Sequence, residues 1–317
     1  MPQLGPIFVV VNPTAAYGKT SMRWSAIQDA LRAQGLAFTA ALTERRGHAA
    51  ELARQAAEQG FRLIVAVGGE GTLFEMANGL LGVTGAVDPA IALGILPSGT
   101  GSDFARFVGI PRDPIAAVAR LVGDKTITMD MGYLECRRLA PAGETADADA
   151  PLVKRYFMNV AGLGFDGEVI ERVERGTKAI GGTIPYLSNL FASLLAYRNK
   201  NFTITYDDRT LAGRFNSVIC ANGAYFGGGM FIAPKSKVDD GLFDLVLLGD
   251  LTKPEIVVTL PRLYKGTHLS HPKVTLLHAK EVRVVNQERA LVQADGELVG
   301  MGPAVFRIIP QALRVKV

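Results

Sequence analysis

The chain has 317 residues, of which 48% are hydrophobic and 20% are charged, as expected for a folded protein of roughly two domains. The net charge of +4, without any long block of basic residues, argues against nucleic acid as a partner. Two distant cysteines, Cys136 and Cys220, argue against a disulfide framework and favour a reducing cytoplasm. Neither a signal peptide nor an apolar stretch of about twenty residues is recognisable, so a soluble or peripheral protein is expected.

Strands and helices alternate over the first 130 residues. The predicted strands are residues 7–11, 38–42, 61–67 and 91–96. The predicted helices are residues 21–34, 48–59, 73–80, 103–107 and 114–122. This alternation predicts a doubly wound α/β nucleotide-binding domain over residues 1–130, with a mostly parallel sheet.

After residue 130 the pattern changes to strands separated by turn residues. The predicted strands are residues 126–134, 154–160, 201–206, 215–222, 242–248, 282–285, 290–294 and 304–309. Two helices are predicted, at residues 184–196 and 253–264, and residues 139–150 are predicted to form a solvated hairpin loop. A β-rich second domain over residues 131–305 is therefore expected, with residues from about 306 to 317 returning to the first domain.

Two glycine-rich turns lie between predicted strands and helices. The first is Gly-Gly-Glu-Gly-Thr at residues 68–72, and the second is Pro-Ser-Gly-Thr-Gly-Ser-Asp at residues 97–103. Glycine lets a backbone approach a phosphate closely, and a helix N-terminus offers unpaired N–H groups. Either turn alone could be a tight connection without a ligand. Both together, at the carboxyl ends of parallel strands, predict a nucleotide-phosphate site.

A series of motifs follows one family's order along nearly the whole chain. They are Asn12-Pro13, residues 68–72, Glu75, Asn78-Gly79, residues 97–106, Gly164-Phe165-Asp166, Gly227-Gly228-Gly229, Asp239-Asp240-Gly241 and Asp295-Gly296-Glu297. With these motifs the chain resembles a bacterial member of the diacylglycerol kinase catalytic-domain family, which also includes sphingosine and ceramide kinases. The resemblance implies an α/β domain and a β-sandwich-like domain, with ATP bound in the cleft between them.

The resemblance also implies roles for individual residues. Nucleotide contacts are expected at Asn12, Thr43, Gly68, Gly69, Glu70, Gly71, Thr72, Glu75, Gly99, Thr100, Gly101 and Ser102. Asp103 and Asp130 would belong to the acidic network around a catalytic Mg²⁺. A second, structural Mg²⁺ is expected at Asp240 and the carbonyls of Lys237 and Leu242, although Asp-Gly is also an ordinary turn.

Asp295 is the candidate general base, with Glu297 beside it. A carboxylate at this place would take the proton from a lipid hydroxyl during phosphoryl transfer. The same Asp-Gly pair, between two apolar runs, is also a strong signal for a β-hairpin turn. The sequence leaves both interpretations open.

The chain departs from the family pattern at Glu70, where Asp is usual, at Ser102, where Asn is usual, and at Ala16, where Gly is common. Glu70 keeps the charge but is longer by one methylene, which places the geometry of the nucleotide site in question. A non-catalytic nucleotide- or lipid-binding homologue is therefore one alternative. A soluble-substrate kinase resembling NAD kinase is another.

The expected activity is transfer of the γ-phosphate of ATP to a hydroxyl of a membrane lipid, either diacylglycerol or a sphingoid-like lipid. A cytoplasmic enzyme, peripheral on the inner membrane leaflet, fits the mild positive charge. The apolar helix predicted at residues 184–196 would either meet lipid or pack in the core. The oligomeric state does not follow from the sequence, and a homodimer through an edge strand stays open.

Overall fold

The computed structural model describes residues 5–82, 87–99, 101–140, 150–175 and 196–317. The chain divides into two compact units. Unit 1 comprises Met1–Met131, Val238–Asp240 and Ile309–Val317, and unit 2 comprises Gly132–Lys237 and Gly241–Ile308. The predicted loop at residues 139–150 and the predicted helix at residues 184–196 lie almost wholly outside the described residues.

Unit 1 is built around parallel strands. Its strands are β1 (Ile7–Val11), β2 (Phe38–Leu42), β3 (Leu63–Gly68) and β4 (Ala92–Pro97). They lie in the order β2-β1-β3-β4, every neighbouring pair is parallel, and the end of the chain adds one more parallel pairing, of Arg314 and Val315 with Ala92 and Leu93. β1, β3 and β4 are buried along their whole length, as apolar strands covered on both faces must be.

Helices connect these strands. They are α1 (Lys19–Ala33), α2 (His48–Glu58), α3 (Glu70–Leu81), α4 (Asp103–Phe107) and α5 (Pro114–Ala117). The helix predicted over residues 114–122 is wrong in its second half, because the chain tightens into a 3₁₀ turn at Val118–Leu121. This turn buries Val118 and Leu121.

Unit 2 is dominated by antiparallel strands, and β5 and β17 each run from one unit into the other. The strands are β5 (Thr126–Arg137), β6 (Leu152–Phe157), β7 (Val160–Gly164), β8 (Lys200–Tyr206), β9 (Arg209–Phe215), β10 (Ser217–Ala221), β11 (Tyr225–Phe226), β12 (Met230–Phe231), β13 (Phe243–Leu248), β14 (Val274–Ala279), β15 (Glu281–Asn286), β16 (Leu291–Ala294) and β17 (Glu297–Lys316). The main path runs β14-β13-β10-β7-β16-β17. The described part of the unit also contains helices α6 (Phe165–Arg175) and α7 (Lys253–Lys265). The predicted combination of an α/β fold with a β-rich fold is confirmed.

Several predicted elements of unit 2 need correction. The single strand predicted at residues 154–160 is two strands, β6 and β7, because the backbone N–H groups of residues 158–160 turn towards the Asp295 carboxylate. The strand predicted at residues 215–222 is likewise the end of β9 and the whole of β10, interrupted at Asn216. Strands β11, β12 and β14, most of β9 and helix α6 were not predicted. Among the described residues, no helix is long and apolar enough to cross a membrane.

Phe157, at the end of β6, lies at the centre of the unit 2 core. Its ring is fully buried and stacks on Phe243, with ring centroids 5.6 Å apart. Phe306 meets the same ring edge-on, at 6.5 Å. Opposite Phe157 on β5, a Cβ on Gly132 would lie 2.1 Å from the ring carbon Cζ, so only glycine leaves room for the ring.

Replacing Phe157 with alanine is expected to lower the free energy of unfolding by about 3–5 kcal/mol, because a rigid aromatic cluster cannot collapse to fill the cavity. Chemical denaturation monitored by circular dichroism measures this change. The control is Leu211→Ala on the exposed strand β9, which should change stability by less than about 0.5 kcal/mol. Equal effects of the two substitutions would contradict the assignment of the core.

Candidate active site

The carboxyl ends of β1 and β3 form a switch point in the sheet of unit 1. These strands are neighbours, yet the chain leaves β1 towards β2 on one side and leaves β3 towards β4 on the other. Helices then diverge and leave a crevice, which is where open α/β sheets bind ligands. Asn12 follows β1, and its side-chain amide donates to Thr72 Oγ1 of α3 at 2.9 Å. Two predicted nucleotide residues therefore meet at this crevice.

The two glycine-rich turns approach each other closely beside this crevice. A Cβ placed on Gly99 would lie 2.7 Å from the Gly69 Cα, a distance that real Cβ atoms do not reach. Gly68 is also required, since its Cβ would lie 2.5 Å from Thr72 Oγ1. The glycines thus allow two backbone turns to pack together with no side chain between them. A surface of bare backbone of this kind fits a phosphate group.

Glu70 connects the two turns. Its Oε1 accepts hydrogen bonds from the backbone N–H groups of Asp103 at 2.7 Å and Phe104 at 3.3 Å, at the beginning of α4. Its other oxygen, Oε2, would lie 3.1 Å from a Cβ placed on Gly101, so this oxygen is next to the second turn. Glu70 therefore reaches across to the second turn, and its carboxylate lies at the N-terminal end of α4, where negative charge is favourable.

Glu75 and Thr43 lie at the same carboxyl edge but have structural partners. The Glu75 carboxylate accepts from Gly47 N–H at 2.8 Å and Ala49 N–H at 3.2 Å, which caps the beginning of α2. The Thr43 N–H donates to the carbonyl of Val11. Both residues thus fix the loop that precedes α2, while Thr100 lies outside the described residues.

A pair of buried hydroxyls also joins the loops at this edge, and no sequence pattern pointed to it. Thr20 Oγ1 and Ser98 Oγ lie 2.6 Å apart, with both side chains almost fully buried. Thr20 begins the helix after the first loop, and Ser98 opens the second glycine turn. Their hydrogen bond holds the loop after β1 against the loop after β4.

The two carboxylates predicted for the catalytic Mg²⁺, Asp103 and Asp130, are buried. Asp103 is 0% exposed and Asp130 is 1% exposed. Asp130 accepts from the Gln311 N–H at 2.8 Å, and its own N–H donates to the carbonyl of Val238, so the segment Val238–Asp240 adjoins it. Within the described ranges, however, no group of three or more His, Cys, Asp or Glu side chains is arranged to hold a metal. The Mg²⁺ sites at Asp103, Asp130 and Asp240 stay predictions, as do the carbonyl ligands of Lys237 and Leu242.

In unit 2, Asp295 is both a turn residue and an enclosed carboxylate. Asp295 and Gly296 have φ values of 47° and 82°, so they form a two-residue hairpin turn between β16 and β17. The side chain folds back and accepts from three consecutive backbone N–H groups, those of Met158 at 2.7 Å, Asn159 at 2.9 Å and Val160 at 3.0 Å. The turn interpretation is therefore confirmed, and the role of Asp295 as general base stays a prediction.

The environment of Asp295 suits a group that exchanges protons near neutral pH. Removal from water raises the pKa of Asp295 to about 6, although the three backbone N–H donors lower it, and the charge of Glu297 raises it further. Two of the donors bind Oδ1 and one binds Oδ2. A carboxylate offers about four acceptor positions, so one position on Oδ2 stays available for a proton.

A second aspartate, Asp166 at the start of α6, has a similar environment. Burial raises the pKa of Asp166 to about 6, against the hydrogen bonds from Gln293 and Ser217 that lower it. Asp166 belongs to the Gly-Phe-Asp motif, but no role had been predicted for its side chain. Its elevated pKa marks it as a candidate functional residue.

The two parts of the chain match two family descriptions. Residues 6–134 match the family described as Diacylglycerol kinase catalytic domain, and residues 159–317 match the family described as YegS C-terminal NAD kinase beta sandwich-like domain. The chain is 27% identical over 299 residues to Diacylglycerol kinase of Bacillus subtilis (strain 168), covering 94% of this chain and 91% of that protein. It is 27% identical over 325 residues to Diacylglycerol kinase of Mycobacterium tuberculosis (strain CDC 1551 / Oshkosh), covering 99% and 95%.

Solved structures show the same fold. The crystal structure of a diacylglycerol kinase from Bacillus anthracis str. Sterne aligns with a TM-score of 0.70 at 20% identity, over 98% of this chain and 96% of that chain. A parallel α/β unit with tandem glycine turns, followed by an NAD kinase-like β unit, defines the structural class. Within that class, the chain belongs to the diacylglycerol kinase catalytic-domain family, so the resemblance drawn from the motifs is confirmed.

The carboxyl groups of Asp295 and Asp166 are expected to titrate with midpoints near pH 6, because loss of hydration disfavours their charged forms. Carboxyl ¹³C NMR over pH 3–8 measures both midpoints, and Asp295→Asn and Asp166→Asn assign the two signals. The exposed Asp88 is the internal reference, since a backbone N–H and Arg62 hold the pKa of that carboxyl below its usual range. Midpoints below about 4 at both residues would contradict the structural assignment.

Proposed function

We propose that this protein is a lipid kinase that transfers the γ-phosphate of ATP to the hydroxyl of a membrane lipid, with diacylglycerol as the first candidate acceptor. The observation that carries the proposal is the Asp295 carboxylate, enclosed by three N–H donors with a pKa raised to about 6, in a chain of this family. Relatives named diacylglycerol kinase align over nearly their full length, which supports the choice of acceptor.

In the proposed reaction, Asp295 acts as the general base. Its Oδ2 takes the proton of the lipid hydroxyl as the hydroxyl oxygen forms a bond to the γ-phosphorus, and the bond from that phosphorus to the bridging oxygen of ADP breaks. A base with a pKa near 6 is mostly ionised at pH 7 and still binds a proton strongly enough to assist the step. Glu297 contributes negative charge that keeps the base strong.

The glycine turns of unit 1 are proposed to bind the phosphates of ATP. The close approach of Gly69 and Gly99 leaves bare backbone at the switch point of the sheet, and Asn12 lies beside it. Mg²⁺ is proposed to arrive with the nucleotide, because hard oxygen ligands such as the phosphates themselves suit this ion. The protein would work at a membrane surface as a peripheral enzyme, which its net charge of +4 favours at anionic lipid.

Two other functions are supported by particular observations. A nucleotide-binding protein without turnover is supported by Glu70, whose carboxylate already occupies the N–H groups at the start of α4. A kinase acting on a soluble dinucleotide is supported by the NAD kinase-like description of the second family. The transfer assay below separates both from the proposed function.

Wild-type protein is expected to transfer ³²P from γ-labelled ATP to diacylglycerol in mixed micelles, and Asp295→Asn is expected to lower kcat by about 10²- to 10⁴-fold, because the amide cannot take the proton. Sphingosine, ceramide and NAD are run as alternative acceptors, with and without EDTA. The control is Asp208→Asn, an exposed turn aspartate in unit 2. Label on NAD alone would favour the soluble-substrate kinase, and ATP binding without label on any acceptor would favour the non-catalytic protein.

Gly99→Ala is expected to weaken ATP binding by more than about tenfold, since the new Cβ would force the two turns apart and displace the phosphate site. Isothermal titration calorimetry with ATP measures the change in Kd. The matched control is Gly213→Ala in unit 2, where a new Cβ meets only the Phe215 ring at an ordinary 3.5 Å. An unchanged Kd in Gly99→Ala would exclude the glycine turns as the nucleotide site.

A further inference from the structure

Gln293 is a fully buried polar side chain two residues before Asp295. It is 1% exposed and lies on β16, opposite Gly162 of β7. A buried amide is costly unless its donor and acceptor both find partners. Gln293 has both: one partner lies in the turn that carries the proposed base, and the other lies at the beginning of α6.

The two ends of the Gln293 amide bind different elements. Its Oε1 accepts from the backbone N–H of Gly296 at 3.2 Å, the second residue of the Asp295 turn. Its Nε2 donates to Asp166 Oδ2 at 2.9 Å. An ionised Asp166 accepts hydrogen bonds only, so it fixes which end of the amide faces the turn.

Asp166 is itself held on several sides. Ser217 Oγ donates to its Oδ1 at 3.4 Å, and the same hydroxyl accepts from the N–H of Phe165 at 3.2 Å. A Cβ on Gly162 would come within 3.0 Å of Asp166 Oδ2, so glycine at this position leaves room for the carboxylate. The connection therefore runs from β10 through α6 and β16 to the hairpin turn.

We propose that Gln293 and Asp166 are positioning residues for Asp295: they lock the Asp295–Gly296 turn, so that the Asp295 carboxylate stays on its three N–H donors. Asp295 has a positive φ of 47°, which an Asp-Gly pair adopts in a hairpin turn, and the Gln293 bond to the Gly296 N–H fixes the second residue of that turn. Neither positioning residue touches a reacting atom. The kinetic consequence rests on the proposed function, whereas the effect on the Asp295 carboxylate does not.

The proposal predicts a direction for the pH dependence. In the variants the Asp295 carboxylate is expected to stay removed from water, while the N–H donors of residues 158–160 bind it less well, so its proton affinity rises. The base is active only when ionised, so the acidic limb of the kcat/KM profile should move to higher pH. Among the described residues, Glu297 acts on Asp295 by its charge, and it is unchanged in all of these variants.

Gln293→Leu is expected to lower kcat for lipid phosphorylation by about 10- to 100-fold, with the KM for ATP within about threefold of wild type, because a misplaced base slows the step without affecting the nucleotide site. Asp166→Leu should give the same result, and the double variant should be no worse than either single variant, since both break one connection. Asp166→Asn keeps an acceptor for Gln293 and should stay within about threefold of wild type.

The control is Thr259→Val, which removes a buried hydroxyl of α7 elsewhere in unit 2 at nearly constant volume. If Thr259→Val and Gln293→Leu reduce kcat equally, or if Gln293→Leu leaves kcat and the acidic limb unchanged, the proposal is wrong. Circular dichroism checks that each variant is folded. Should Gln293→Leu not fold, the comparison of Asp166→Leu with Asp166→Asn decides the question in the same way.

Carboxyl ¹³C titration of Asp295 tests the positioning without any activity. In Gln293→Leu the Asp295 midpoint should lie at a higher pH than in wild type, and it should be unchanged in Thr259→Val. An unchanged midpoint in Gln293→Leu would overturn the proposal, even in a protein that phosphorylates lipid normally. A wild-type protein that labels no acceptor, together with a raised midpoint in the variant, would instead reject the proposed function and keep the positioning role.

Discussion

The structure around the proposed base depends on one constraint, the cost of enclosing the Asp295 carboxylate. A carboxylate withdrawn from water must be compensated by hydrogen bonds, and here three consecutive backbone N–H groups provide them. Those N–H groups are available only because the chain stops β6 at Phe157 and starts β7 at Val160. The interruption of the sheet is therefore part of the site.

The interruption is in turn supported by residues distant in sequence. Asn222 donates from its side chain to the Met158 carbonyl at 2.8 Å, and its N–H donates to the Asn159 carbonyl at 2.9 Å. The Asn159 side chain donates to the carbonyl of Tyr225. A Cβ on Gly223 would collide with Asn159 Oδ1 at 1.8 Å, so glycine is required there. The cradle of Asp295 is thus built from three separate stretches of unit 2.

In unit 1, a single side chain likewise links separate segments of backbone. Its two glycine turns lie close together, and the N–H groups at the beginning of α4 need an acceptor that links them to the first turn. Glu70 supplies this link, because its longer side chain reaches the N–H groups of Asp103 and Phe104. The substitution of Glu for the usual Asp, which raised a question about the nucleotide site, therefore has a structural role, because the Glu70 carboxylate joins the first turn to the beginning of α4.

The sequence by itself determined the fold class, the parallel strands and the family, because hydrophobic periodicity and glycine turns are local properties that a single chain displays directly. Strands such as β1 and β2 were predicted with their observed bounds. The sequence could also name Asp295, but not decide between a base and a turn residue. Only the tertiary structure brought Met158, Asp166 and Gln293 to that turn, since these contacts join residues separated by up to 137 positions. The pKa of Asp295 is set by its burial and by hydrogen-bond partners that are distant in the sequence. Both follow from tertiary packing and leave no periodic pattern in the sequence.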